Sequence, residues 1–391
     1  MRNTCFEILL TYLLICLYSC SIADTHENIQ VSPKFASLNI DTTIVVKNIS
    51  EIAKEIKYVP LQSSNANLIG AVDKVDYFSN MLFVLDKKIS KALYVFDTSG
   101  KLLYKKKVNE GELDRIASIS DFSIDKKNKT LWLYSSGERQ ILKFTLPEGG
   151  YLKRLKVNGY FSDISSVDSG RFVLLRDGLT KYADKYNNER VCLFDSNGNV
   201  IKSWLDQPLN HQVSAGMIIK DQSPINDNHL LICRMFDDTI YSINNSRLEA
   251  EYKLPLHSDI SSIQDERSML LFIKDYPTSF VTGRNIFNTQ RYLALYVKRG
   301  DIVCLLLYDK TQKSGSIFKA LINDFDNISL PMVDYMDDSC FISLADPSQL
   351  QQQYHFVSNS PNFTTKYSQL IKLNDVITRR SNPVVIFGKL K

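Results

Sequence analysis

The sequence is short of the residues that punctuate or cross-link a chain. Its 391 residues include only 15 glycines and 11 prolines, which excludes a collagen-like repeat and a low-complexity linker protein. The seven cysteines form no CxxC or Cys/His cluster, so neither structural zinc nor a redox dithiol is expected. Cys192, Cys233, Cys304 and Cys340 each fall in or beside an apolar run and read as small buried hydrophobes. Charge of one sign is lacking too. The 47 Lys+Arg against 43 Asp+Glu leave a formal +4, and without a basic surplus nucleic acid is not an expected partner. There is no P-loop, GxGxxG, GxSxG or HExxH. The histidines, His26, His211, His229, His257 and His355, are scattered. Long hydrophobic runs are absent except at the N-terminus.

That one run is an address. Arg2 supplies a positive end, and Ile8 to Tyr18 is apolar apart from Thr11. The stretch is too short to cross a hydrocarbon core of about 30 Å as a helix, so it reads as a signal-peptide core. Leu17-Tyr18-Ser19-Cys20 resembles the bacterial lipoprotein signal, in which the cysteine becomes the lipidated first residue. The expected division is a signal peptide at 1–19, a lipidated N-terminus and tether at 20–36, and a single domain at 37–391. The lipid on Cys20 would make the membrane a partner and place the protein in the cell envelope, anchored to the outer membrane and facing the periplasm or the surface. Plain secretion is the alternative.

The body consists of short apolar runs between turn residues. Met81 to Leu85, Ala92 to Phe96 and Lys101 to Tyr104 are strand candidates, with Asp97-Thr98-Ser99-Gly100 as a tight reversal. The pattern returns at Thr130 to Tyr134, Gln140 to Phe144 and Tyr151 to Leu155. It returns again at Phe172 to Leu175, Val191 to Phe194 and Val200 to Trp204 around the turn Asp195-Ser196-Asn197-Gly198. Phe96, Phe144, Phe194 and Ile243 hold equivalent positions and are separated by 48, 50 and 49 residues. The next interval, to Tyr308, is 65 residues, which points to an insertion between Lys274 and Thr289. Degenerate repeats of this length, three or four strands each, are the mark of a β-propeller. The expected fold is all-β, a propeller of six blades of mainly four-stranded antiparallel sheets with little long helix. Ile44 to Val46, or Ile56 to Val59, would pair with the C-terminal strands to close the ring. The regular interval argues against two successive open β domains.

Glu55-Ile56-Lys57-Tyr58-Val59-Pro60-Leu61 resembles the opening signature of a family of exported six-bladed propeller proteins of gut-type Bacteroidetes. The likeness continues through Leu68-Ile69-Gly70, Leu85-Asp86, Val95-Phe96-Asp97 and Ile119-Ser120-Asp121-Phe122, and ends on Asn382-Pro383-Val384-Val385-Ile386. It covers about residues 50–391. The resemblance implies the propeller fold and a lipoprotein, and its members generally have no assigned molecular function. Where the family carries a Gly-rich linker after the first blade, this chain has Val108-Asn109-Glu110-Gly111-Glu112-Leu113.

Residues for chemistry are few. His211 and His257 lie in interblade connections, and Tyr186, Arg234 and Tyr276 offer polar or aromatic contact area. Trp204 is a further ligand candidate, although its strand position favours core packing. Asp237-Asp238 and Asp337-Asp338 read as turns, because adjacent carboxylates on a strand point to opposite faces. Asn323 to Asn327 offers oxygen ligands for Ca²⁺ but lacks the Gly and Glu of an EF-hand loop, so it reads as a polar connection and no cofactor is expected. Lys105-Lys106-Lys107 ends an outer strand, where charge discourages edge pairing. The leading expectation is a lipid-anchored binding or interaction module for a glycan, a peptide or an envelope protein. The alternative is a glycan-active lyase or hydrolase on the same scaffold.

Overall fold

Short apolar runs separated by tight turns fold here into a succession of antiparallel meanders. The computed structural model describes residues 35–112, 114–168, 170–176, 190–205, 218–221, 229–234, 237–256, 280–326, 328–358 and 368–391. The described residues begin with β1 (Ala36–Ser37), β2 (Ile40–Asn48) and β3 (Ala53–Pro60). The first meander is β4 (Lys74–Phe78), β5 (Met81–Asp86), β6 (Ala92–Asp97) and β7 (Leu102–Lys107). The second is β8 (Asp121–Asp125), β9 (Thr130–Ser135), β10 (Gln140–Thr145) and β11 (Tyr151–Lys156). The third is β12 (Asp163–Ser166), β13 (Phe172–Leu175), β14 (Val191–Phe194) and β15 (Val200–Trp204). The fourth is β16 (Ile218–Asp221), β17 (His229–Arg234), β18 (Thr239–Asn244) and β19 (Arg247–Lys253). The fifth is β20 (Phe280–Asn288), β21 (Tyr292–Arg299), β22 (Ile302–Asp309) and β23 (Ser314–Asn323), to whose end β24 (Ile328–Ser329) pairs. Then come β25 (Tyr335–Met336), β26 (Cys340–Ala345), the helices α1 (Pro347–Val357) and α2 (Ser368–Val376), and β27 (Val384–Leu390).

The middle strands are apolar on both faces because each sheet is sandwiched between two others. Every residue of β5 is buried, as are the first five of β6, so these runs are continuous rather than alternating. Aromatic rings join the sheets. Phe83 of the first meander lies 6.2 Å from Phe122 of the second, and Trp132 of the second meets Phe172 of the third edge-on at 5.3 Å. Cys192, Cys233 and Cys304 are buried in this packing, and Cys340 is half-buried.

The architecture is an all-β propeller, but among the described residues the sheets number five where six blades were expected. Three meanders form sheets of their own, and β25, β26, β27 and β3 make a fourth. The fourth and fifth meanders are fused into one eleven-stranded sheet, because β16 and β20 run parallel and pair at Lys220↔Asn285 and Asp221↔Ile286. β1 adds in parallel to β19, and β2 in parallel to β23. Of the two closing segments considered, Ile56 to Val59 in β3 pairs antiparallel with β27, in a register running from Val384↔Pro60 to Leu390↔Ala53. Ile44 to Val46 does not join the C-terminal strand but pairs with β23. The expected insertion before Thr289 is partly strand, since β20 covers Phe280–Asn288; residues 257–279 lie outside the described residues. Among the described residues two helices, of 11 and 9 residues, are inserted between β26 and β27. Asp346 caps α1, its side chain accepting from the backbone N–H groups of Ser348 and Gln349.

The outer hairpins repeat one device. Asp97 Oδ1 accepts from the N–H groups of Ser99 and Lys101, as Asp195 Oδ1 does from Asn197 and Asn199. Each turn ends in a glycine at positive φ, Gly100 at 85° and Gly198 at 87°. Both abut the outer strand of the preceding sheet: a Cβ on Gly100 would stand 2.2 Å from the Pro60 carbonyl oxygen, and one on Gly198 2.6 Å from that of Lys156. Beyond each turn the outer strand bulges by one residue, at Leu103, Leu152 and Ile201. Such bulges twist an open edge away from pairing with another chain.

Gly100→Ala combines an unfavourable φ with a backbone clash, whereas Gly300→Ala, with φ 59° and nothing within 4 Å of its Cβ, has the φ term alone. Chemical denaturation should show a loss of roughly 1 kcal/mol for Gly300→Ala and about 2–3 kcal/mol for Gly100→Ala. Equal losses would refute the close contact between the hairpin and the preceding sheet.

Candidate functional site

In an antiparallel meander the start of the innermost strand and the end of the second strand share one end of the sheet. The backbone N–H of Asp73, Ser120, Ser162 and Asp334, each just before or near the start of an inner strand, donates at 2.8 Å to the carbonyl of Leu85, Tyr134, Leu175 and Ile342 respectively. Four of the five sheets are thus built alike at this end. Between the first three meanders a cavity of about 260 Å³ opens there. Ser120 and Ser162 precede β8 and β12, while Lys87, Ser136 and Arg176 follow β5, β9 and β13.

The lining is rich in hydroxyl groups held in fixed geometry. Ser120 Oγ and Ser136 Oγ are 2.7 Å apart, and the Ser136 N–H donates to Ser120 Oγ at 3.0 Å. Ser162 Oγ donates to Asp163 Oδ2 at 2.5 Å. The Phe161 N–H donates to the Tyr134 hydroxyl at 3.2 Å, fixing the ring that lines the cavity. The Arg176 guanidinium lies 5.0 Å from the centre of that ring, a cation–π contact.

One residue deeper, charges cross the axis. Asp121 of β8 receives Lys74 of β4 on Oδ1 at 2.8 Å and Lys220 of β16 on Oδ2 at 2.6 Å. The Ile164 N–H also donates to Oδ2, at 2.9 Å. Lys74 donates further to the Phe122 carbonyl and Lys220 to that of Ile164. Burial alone would raise the Asp121 carboxyl, but Lys220 and Lys74 outweigh it and hold the group well below the carboxylate range. Burial and the neighbouring Lys220 lower Lys74. In Lys220, burial is outweighed by Asp121 and Asp163, and its affinity for the proton rises. Asp76, two residues along β4, is pushed up to about 6 by burial, against the pull of Lys126 and Lys74.

The candidates named from sequence are distributed differently. Cys20, Tyr186, His211, His257 and Tyr276 lie outside the described residues. Trp204 ends β15 and is buried in the core between the third and fourth meanders with Val191 and Leu230. Arg234 ends β17 opposite Ile218, at the same end as the cavity. Its Nε and Nη2 both donate to Asp237 Oδ2, at 3.1 and 2.8 Å, and the Tyr241 hydroxyl donates there at 3.3 Å. His229 is a strand-edge residue whose Nε2 lies 2.7 Å from Glu251 Oε2. The Asn323 amide donates to the Tyr58 hydroxyl, which donates to Asp326, while Asp324 accepts from Ser50. Among the described residues no group of three or more His, Cys, Asp and Glu side chains converges as a metal site. Ser120, Ser136, Ser162, Lys87 and Arg176 were missed, and so was the axial trio. The available signal was a charged residue in each of three inner strands, Lys74 in β4, Asp121 in β8 and Lys220 in β16.

A family model described as Domain of unknown function (DUF4934) matches residues 36–389. The chain belongs to this family. No curated protein matches the DUF4934 chain. Among solved structures, a Bacteroides fragilis protein described as exported superposes with a TM-score of 0.70 at 16% identity, covering 92% of this chain and all of that one. A member of the DUF4221 family from Bacteroides vulgatus gives 0.53 at 8% identity, over 87% of this chain and 97% of the other. At such identities the likeness establishes the fold. No described helix of the DUF4934 protein is long and apolar enough to cross a membrane.

Two substitutions test the axial charges. Asp121→Asn leaves two buried ammonium groups facing a neutral amide, and should cost about 3–5 kcal/mol of unfolding free energy near neutral pH. Because Asp76 holds its proton more tightly folded than unfolded, its contribution is complete below its ordinary value of 3.8 and is lost as the pH rises to about 6. Asp76→Asn removes that loss. Urea denaturation should show the variant gaining about 3 kcal/mol on the parent protein between about pH 4 and about pH 7; a pH-independent difference would refute the assignment.

Proposed function

We propose that the protein is an exported, envelope-anchored binding module whose end cavity recognises an acidic saccharide. The observation that carries this reading is the lining itself: three serine hydroxyls, one aromatic ring and two cationic side chains converge on one cavity at the shared end of successive sheets. Propeller folds are reused for many tasks, so the site and not the fold bears the argument. Ser120 and Ser136, hydrogen-bonded to each other, and Ser162, which donates to Asp163, each keep acceptor capacity for ligand hydroxyls. Lys87 and Arg176 suit a carboxylate, Arg176 with the planar fork that matches its geometry. A glycan is favoured over a peptide or a protein partner because the contacts converge in a pit rather than along a strand edge or a broad surface.

On this reading the fused sheet counts as two blades, each of the fourth and fifth meanders being complete in itself, so the ring has six. Export is supported by the N-terminal signal-like run and by the structural likeness to an exported Bacteroides protein. The Leu17-Tyr18-Ser19-Cys20 motif supports lipidation at Cys20 and an outer-membrane anchor.

Calorimetry with trigalacturonate on the purified chain tests the site, with product analysis on the same samples. Saturable binding without products is expected, weakened about tenfold or more by Lys87→Glu and by Ser162→Ala, each tenfold step being about 1.4 kcal/mol. Binding that both variants leave unchanged would sink the assignment. New unsaturated or hydrolysed products would replace it with the glycan-active enzyme.

A further inference from the structure

Two aliphatic side chains are held out in water at the cavity end of the first meander, on the side that faces the closing sheet. Ile89, in the turn between β5 and β6, is 66% exposed, and Leu68, in the loop after β3, is 41% exposed. Neither position is loose. The carboxylate of Asp86, itself fully buried, accepts from the Ile89 N–H on Oδ1 and from those of Gly70, Ala71 and Ser90 on Oδ2, so one side chain fastens turn and loop together. Ile89 rests directly on Gly70, where a Cβ would come within 2.4 Å of its Cγ2. Asn382, also buried, fastens the loop from the closing sheet. Its Oδ1 accepts from the Ile69 N–H, and its Nδ2 donates to the carbonyls of Gln62 and Asn67. The corresponding turn of the second meander, Ser136-Gly137-Glu138-Arg139, holds no aliphatic residue, so the fold itself does not require one here.

The charges around this pair are unbalanced. Residues 61–72 carry none. Lys87, Lys88 and Lys91 flank Ile89, Lys105 reaches the Ala66 carbonyl at 3.0 Å, and Arg379 and Arg380 stand exposed shortly before Asn382. The nearby carboxylates are mostly committed. Asp86 is enclosed, and Asp73 accepts from the Lys87 N–H and lies 3.6 Å from Lys88 Nζ. Asp114 pairs with Lys106 at 2.8 Å and Glu110 with Lys107 at 3.2 Å. Exposed Glu112 and Arg115 offset each other, as do Lys372 and Asp375 of α2. Lys91, Lys105, Arg379 and Arg380 form no ion pair among the described residues. The corner is therefore apolar at two points and cationic around them. A turn apex offers no pit for a small ligand. An anionic bilayer suits both features, because its surface potential draws in lysine and arginine while aliphatic side chains gain by entering the boundary beneath the headgroups. We propose that this corner docks on an anionic phospholipid bilayer, with Leu68 and Ile89 entering the headgroup layer and Lys88, Lys91, Arg379 and Arg380 against the headgroups. The inference needs neither the lipid on Cys20 nor the end cavity, which opens towards the second and third meanders and retains Lys87.

The test places a reporter at the apex. The full chain carrying Ile89→Trp is mixed with vesicles of phosphatidylglycerol brominated in its acyl chains, and separately with brominated phosphatidylcholine. Trp132 and Trp204 are buried, so quenching reports the introduced side chain. Anionic vesicles should quench it, neutral ones much less, and added salt should reverse the effect. Arg379→Glu with Arg380→Glu, in the same background, should weaken the apparent affinity by about tenfold or more. Lys91→Glu decides in its place should that variant melt at a lower temperature. Asn197→Trp, in an exposed turn at the opposite end of the third meander, should stay unquenched. The proposal is overturned if anionic vesicles leave the Ile89→Trp emission unchanged, the result expected were an acidic protein the partner. It is equally overturned if the charge reversals leave the affinity as it was, or if Asn197→Trp is quenched to the same degree.

Discussion

The hydrogen bonds between β3 and β27 join the two ends of the chain inside one sheet, and the ring depends on them. Each meander has faces too apolar to leave in water, and each is covered only when a neighbour stands on either side. A row of such sheets would leave its first and last faces bare. The antiparallel union of Ala53–Pro60 with Val384–Leu390 brings the closing sheet against the first meander, and the Tyr335 hydroxyl, donating to the Tyr77 carbonyl at 2.9 Å, ties the inner strands across that seam. The glycine turns depend on the same closure, since Gly100 of the first meander lies against Pro60 of the closing strand.

Closure in turn draws the inner strands together around an axis, and that crowding governs what can stand there. Ammonium and carboxylate groups taken out of water are tolerated only when each is paired and hydrogen-bonded. Asp121 meets that demand by serving two lysines and a backbone N–H at once. Three inner strands that are not all neighbours in sequence, β4, β8 and β16, are thereby tied to one carboxylate. The serine-lined cavity begins one residue away from Asp121, at Ser120, so it lies directly beside this paired and buried charge layer.

Most of the fold was legible because its causes are local. Runs such as Met81 to Leu85, and Asp-Thr-Ser-Gly or Asp-Ser-Asn-Gly reversals, carry their own propensities, and their spacing shows through the degeneracy of the repeats. The fusion of two meanders through Lys220 and Asn285 was not legible, since it depends on how closely the ring brings two inner edges together. Helix α1 did carry a signal, Asp346 followed by Pro347, which is a capping residue with proline at the first helical position. The candidate site was largely illegible. Ser136 stands in a turn, as its sequence suggests, and only the neighbouring meanders make that turn part of a cavity wall. Trp204 shows the converse: an aromatic side chain that could serve recognition is instead consumed by the core.

Closing the ring with the first long segments and the last one also sets an order in time. β3 leaves the ribosome well before its partner β27, because residues 61–383 lie between them. At about 5–20 residues per second, synthesis of the intervening chain takes on the order of tens of seconds. Throughout that interval the face of the first meander that meets the closing sheet, and the β3 edge, have no permanent cover. The sheet that closes the ring therefore cannot form until β27 has been made.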